Sequence, residues 1–107
     1  GRTGSARRVN FDLTPGARSD LREIAISIAR DNPERAATYI SELIDHTAHI
    51  AAQPCLYRLR PEWGDAVRSA RFGNYLILFE LRAERAAILR YLHGRRDIGA
   101  IMSKEPL

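Results

Sequence analysis

Five consecutive residues carry the densest chemistry in this chain: His93, Gly94, Arg95, Arg96 and Asp97. They follow the apolar run Ala86–Leu92, so an imidazole, two guanidiniums and a carboxylate stand at the end of a strand-like segment. Such an end is where a rigid scaffold presents polar groups to a partner. The same residues also suit a turn closed by a salt bridge and a turn-stabilising histidine, or an imidazole acting as acid or base near neutral pH. Arg58 and Arg60, with Trp63, form a second basic group between prolines, either a binding edge or a solvated loop with one anchoring aromatic. Cys55 is the only cysteine, which excludes an internal disulfide and suits a reducing compartment. No Cys-His pattern surrounds it, so it reads as a packed or partly exposed thiol. His46 and His49 stand three apart with no third ligand nearby, and no metal site or other cofactor is expected. There is no glycine-rich phosphate loop, carboxylate cluster or nucleophile elbow.

The chain that must position these groups has 107 residues, enough for one core. Gly1–Ser5 reads as an expression-vector remnant, since Met102 is the only methionine, and residues 6–107 read as a single domain. The longest apolar run, Tyr75–Phe79, falls far short of the roughly 18 residues that cross a bilayer, and no signal-peptide pattern opens the chain. A cytoplasmic protein without membrane contact is expected. Lys plus Arg number 17 against 13 Asp plus Glu, a formal charge of +4, which permits contact with nucleic acid or an acidic protein. Lys104 is the sole lysine. Arginine favours planar bidentate contacts with carboxylate or phosphate, although GC-rich codon usage gives the same bias.

Val9, Phe11 and Leu13 alternate with polar residues at the period of a half-buried strand. Thr14-Pro15 is a helix start, and Ala17, Leu21, Ile24, Ala25 and Ile28 then recur at helical spacing. Asp31-Asn32-Pro33 ends that helix and starts another, whose stripe is Ala36, Ile40, Leu43, Ile44 and Ala48 and which stops before Pro54. So short a link makes an antiparallel helical hairpin. Residues 54–64 read as a loop. Val67–Phe72 and Tyr75–Leu81 flank Gly73-Asn74, a two-residue hairpin turn, and a second turn over 82–85 leads to the last strand, 86–93. The expected architecture is α+β: an N-terminal strand, a helical hairpin and a three-strand antiparallel meander.

The meander carries more apolar surface than one helical layer can cover. In Tyr75–Leu81 both alternating sets are largely apolar, and in the last strand Ile88 and Leu92 fall on one face with Leu89 and Tyr91 on the other. Either a protein partner covers the second face, or the loop with Tyr57 and Trp63 or the tail with Ile98, Ile101 and Met102 folds over it.

In order and spacing, Leu13-Thr14-Pro15-Gly16-Ala17, Asp20-Leu21-Arg22-Glu23-Ile24, Asp31-Asn32-Pro33 with Ala36 and Ala37, Pro54, Val67-Arg68-Ser69, Gly73-Asn74-Tyr75-Leu76-Ile77 and Ile88–Ile98 resemble the ParE branch of the RelE/ParE superfamily, the toxins of bacterial type II toxin-antitoxin modules. The resemblance implies a compact α+β toxin neutralised by a ParD-like antitoxin that wraps it. It also implies inhibition of DNA gyrase by binding, where RelE-type relatives cut messenger RNA on the ribosome; a relative that keeps only antitoxin binding is a third reading. RNA cleavage needs a group to activate the 2′-hydroxyl, cations for the crowded phosphate and an acid for the leaving oxygen. By the resemblance, a RelE-type arginine position falls at Leu76, Arg96 matches a second one, and no tyrosine follows in the tail. Gyrase is therefore the expected target, with no catalytic set and no specific DNA binding by the chain itself. His93, Arg95, Arg96, Asp97, Arg58 and Arg60 are the expected target-binding residues, and Leu76, Leu78, Leu89 and Tyr91 the expected antitoxin contacts.

Overall fold

The computed structural model describes residues 10–104, so Val9 and Gly1–Ser5 lie outside it. Its elements are β1 (Phe11–Leu13), α1 (Pro15–Ala29), α2 (Pro33–Ala52), a 3-10 turn (Pro54–Leu56), β2 (Arg58–Leu59), β3 (Arg68–Phe72), β4 (Tyr75–Arg82), β5 (Arg85–His93) and α3 (Ile98–Ser103). The expected α+β order is present. Two pieces were not anticipated: the stretch read as a loop contributes β2, and the tail contributes α3.

Both long helices start where their capping residues stand. The Thr14 hydroxyl accepts the Ala17 N–H at 3.2 Å, and the Asn32 side-chain Oδ1 accepts the Arg35 N–H at 3.0 Å, each ahead of a proline in the first turn. The β3–β4 hairpin closes on Gly73 at φ 60°, the positive value that the first central position of a II′-type turn requires. At the β4–β5 turn, Ala83 (φ 51°) and Glu84 (φ 66°) both take the left-handed conformation without a glycine.

The strands form one mixed sheet in the order β1-β5-β4-β3-β2, with β1 parallel to β5 and the other pairs antiparallel. One face packs under α1 and α2, where Phe11, Ile24, Leu43, Ile50, Ile77, Phe79, Ile88 and Tyr91 form the larger core. The opposite face has its own core of Val67, Leu76, Leu78, Leu89, Leu92, Ile98 and Met102, with Trp63 and Ile101 packed against it. The chain therefore covers its own second face. Asp97 caps α3 by accepting the Ala100 N–H at 3.1 Å, so the helix begins five residues after the end of β5 and lays Ile98 and Met102 over the sheet.

Of the two readings of that face, a partner or the chain's own loop and tail, the second is present, through Trp63, Ile98, Ile101 and Met102, and it buries Leu76, Leu78 and Leu89 of the residues expected to contact an antitoxin. Leu78 is 0% and Leu89 1% exposed, Leu76 is buried beside them, and Tyr91 lies on the other face beneath the helices. None of the four offers a side-chain surface in this conformation. The face assignment within β5 also changes. Phe79 pairs with Ile88 but Leu78 pairs with Arg90, leaving Leu89 as an extra residue, a β-bulge. Alternation shifts phase there, so Ile88 and Tyr91 share the helix-side face while Leu89 and Leu92 share the other.

Among the described residues no helix is long and apolar enough to cross a membrane.

Candidate functional site

The last turn of the sheet brings together two segments that the sequence separates. The β3–β4 turn and the residues after β5 meet where the Gly94 N–H donates to the Asn74 carbonyl at 2.8 Å. Across this join Arg71, from β3, reaches the Gly73 carbonyl at 3.5 Å, with its guanidinium 3.7 Å from where a Gly94 side chain would begin. Arg71 is the residue that sequence reasoning missed. Its strand position was legible, but the closeness of its turn to Gly94 depends on the register of β4 against β5. With Arg95 and Arg96, which follow Gly94, it makes a cationic rim at the strand end, beside His93 on the helix-side face, and Arg71, Arg95 and Arg96 make no ion pair among the described residues.

His93 is held rather than loose. Its Nδ1 accepts the Arg95 N–H at 3.1 Å, and its ring stands edge-on to Tyr75 with centroids 5.4 Å apart. With Nδ1 accepting, the neutral ring carries its proton on Nε2. A backbone bond from the Arg96 N–H to the His93 carbonyl, 3.0 Å, closes the turn. Beneath the rim lies a cavity of about 150 Å3 lined by Asp20, Glu23, Ser27, Tyr75, His93 and Arg96, among others.

The floor of this cavity is tied to the helices. The Tyr91 hydroxyl bonds Thr47 at 2.9 Å, and Thr47 donates in turn to the Leu43 carbonyl at 2.8 Å. Burial pushes the Tyr91 phenol up to about 12, with the Thr47 bond opposing, so it stays protonated at neutral pH. Asp20, only 6% exposed, accepts the Tyr91 N–H at 2.9 Å and a two-pronged contact from Arg90 at 2.7 and 2.9 Å. Gly16 lets α1 approach, since a side chain there would meet Arg90 Cδ at 3.0 Å and the Leu89 carbonyl at 3.3 Å.

The other expected site residues are spoken for or stand elsewhere. Asp97 is the cap of α3. Arg60 is paired with Glu62 at 2.8 Å and stacked 3.8 Å from the Trp63 ring, which makes it an anchor of the loop over the second core. Arg58 is exposed on the edge strand β2, separated by β3 and β4 from β5, whose end carries the cluster. The His46 and His49 rings stack on each other with centroids 6.1 Å apart, and His46 also packs on Phe72. Among the described residues no group of three His, Cys, Asp or Glu could hold a metal ion.

Chemically, the rim can grip carboxylate or phosphate by charge-assisted hydrogen bonds. Leu76 lies on the far side of the sheet, under α3, and contributes no cation to it.

The family model described as the ParE toxin of type II toxin-antitoxin system, parDE, matches residues 11–98. Among solved structures, a chain of the chromosomal ParDE TA system from P. aeruginosa is similar at a TM-score of 0.68 and 18% identity, over 79% of this chain and 95% of that one. No curated protein matches the sequence.

Proposed function

Because the chain belongs to the ParE toxin family of type II toxin-antitoxin systems, we propose that it inhibits DNA gyrase in the cytoplasm by binding, through the cationic rim of Arg71, Arg95 and Arg96 and the His93 beside it. A ParD-like antitoxin neutralises it by covering that rim. The observation that carries the choice of binding over RNA cleavage is Leu76. At the position where the resemblance puts an arginine in the RNA-cutting branch, this chain has a leucine packed with Ile98 and Met102 in the second core. A leucine cannot stabilise a phosphorane, and a buried one cannot be reached by it. Binding needs no general acid or base, only a fixed array of donors, and Arg95 and Arg96 stand exposed in a turn that two backbone bonds close.

Two assays test this. In a supercoiling assay with purified gyrase, the chain is expected to block the reaction, and Arg95→Ala, Arg96→Ala to raise the inhibitory concentration tenfold or more with an unchanged melting curve. On translating ribosomes, primer extension is expected to show no new cuts. Codon-positioned cuts in the A site, or a double variant as inhibitory as the parent, would overturn the reading.

A further inference from the structure

The rim has its present form only because β5 changes phase one turn before it. From Arg82↔Arg85 to Phe79↔Ile88 the β4–β5 ladder is regular, and after the extra residue Leu89 it resumes one place later, at Leu78↔Arg90 through Tyr75↔His93. Continued without the bulge, the first register would set Tyr91 opposite Leu76 and Leu92 opposite Tyr75. Tyr91 would then turn into the second core, away from Thr47, and His93 would leave Tyr75 for the opposite face. Ile88, Leu89, Tyr91 and Leu92 offer apolar side chains on either phase.

Polar groups of α1 and its cap make the selection. The Ile88 and Leu89 carbonyls at the bulge both accept the Thr14 hydroxyl at 2.9 Å. On the other side of the bulge the Tyr91 N–H donates to Asp20, whose two oxygens also take the Arg90 guanidinium. In the regular register Arg90 would stand opposite Ile77, on the face beneath α1, whereas the Tyr91 N–H would turn away from Asp20 toward β4, so the Tyr91 bond is the Asp20 contact that depends on the bulge.

We propose that Asp20 is the positioning residue of the strand-end site: by accepting the Tyr91 N–H it holds the β5 bulge, and thereby fixes the face on which His93 meets Tyr75 and Arg96 closes the cavity. This rests on the strand end being the gyrase-contacting site. Asp20 contacts the target through none of its own atoms; its effect passes through the backbone of β5.

The experiment follows the His93 ring itself. In the isolated full-length chain, nuclear Overhauser cross-peaks between the His93 and Tyr75 rings report the register, and the indole signal of Trp63, stacked on Arg60 at the second core, reports that the rest is folded. Asp20→Ala is expected to lose the cross-peaks while keeping the Trp63 signal, and to need tenfold or more protein to inhibit gyrase. Asp20→Asn keeps an acceptor for the Tyr91 N–H and is expected to restore the cross-peaks. Cross-peaks that persist in a folded Asp20→Ala protein overturn the proposal. Should Asp20→Ala not fold, Arg90→Lys decides: it removes the two-pronged ion pair and leaves the Tyr91 bond, so the cross-peaks must remain, and their loss from a folded Arg90→Lys protein overturns the proposal. The two readings fail separately. Unchanged inhibition by Arg95→Ala, Arg96→Ala removes the functional reading and leaves the cross-peak comparison standing, whereas cross-peaks indifferent to Asp20→Ala remove the positioning role alone.

Discussion

Tyr91 shows how one side chain links the strand-end site to the helices. Its ring lies in the larger core, its N–H is taken by Asp20, and its hydroxyl is taken by Thr47, so any movement of the site's floor breaks a buried bond. The raised phenol pKa has a definite consequence for stability. Folded Tyr91 titrates at about 12, whereas an unfolded tyrosine titrates near 10. Below about pH 10 both states hold the proton and stability is at its plateau. Between about pH 10 and 12 the unfolded state loses the proton first, so stability falls as pH rises. The full shift corresponds to about 2 to 3 kcal/mol, lost across that window. A Tyr91→Phe protein is expected to begin about 1 kcal/mol less stable at neutral pH, from the missing hydrogen bond, and to lack this part of the alkaline decline. Urea unfolding at a series of pH values measures it; equal alkaline slopes for the two proteins would show that the phenol is not withdrawn from water as its raised pKa implies.

At the scale of elements, what could be read from the sequence was what local chemistry dictates. Thr14-Pro15 and Asn32-Pro33 cap helices, and Gly73-Asn74 closes a hairpin, because each motif acts within three residues of itself. The phase of β5 was not legible. Ile88, Leu89, Tyr91 and Leu92 present apolar groups on both phases, so alternation cannot say where a residue is inserted; the deciding bonds come from Thr14 and Asp20, some seventy residues away. Nor was α3, since six residues give too little periodicity to distinguish a helix from a loop. Arg71 was seen as a strand residue and its meeting with Gly94 was not, for the same reason of register. The second core follows from α3, and it changes what a mutation there means. Leu78→Asp would bury a carboxylate among Val67, Leu76, Leu89 and Met102 with no partner. It is expected to abolish cooperative unfolding by circular dichroism, about 4 kcal/mol or more of destabilisation. A folded Leu78→Asp protein with a normal melting curve would mean that the second face opens readily, as an apolar partner interface would require.

For the molecule as a whole, covering both faces of the sheet leaves charge as its most prominent outward property. The formal charge is +4, and several acidic side chains are already committed within the chain, Asp12 to Arg85, Glu42 to Arg35, Glu62 to Arg60 and Asp20 to Arg90. The exposed arginines of the rim are thus not neutralised locally, while the large apolar side chains that stay exposed among the described residues, Ile26, Leu56, Leu59 and Leu81, are distributed over α1, the 3-10 turn and two strands. An antitoxin that meets this surface meets a positive field before it meets an apolar anchor. Its association rate is therefore expected to carry the salt dependence, falling about tenfold or more between ~0.05 and ~0.5 M salt, while its dissociation rate changes much less. Arg95→Ala, Arg96→Ala should lower the low-salt rate and flatten the dependence. Stopped-flow association with the antitoxin at several salt concentrations measures both. If the rate is indifferent to salt and to the double substitution, steering by the strand-end arginines is absent, and the antitoxin must engage a surface that α3 or the helical hairpin exposes only on binding.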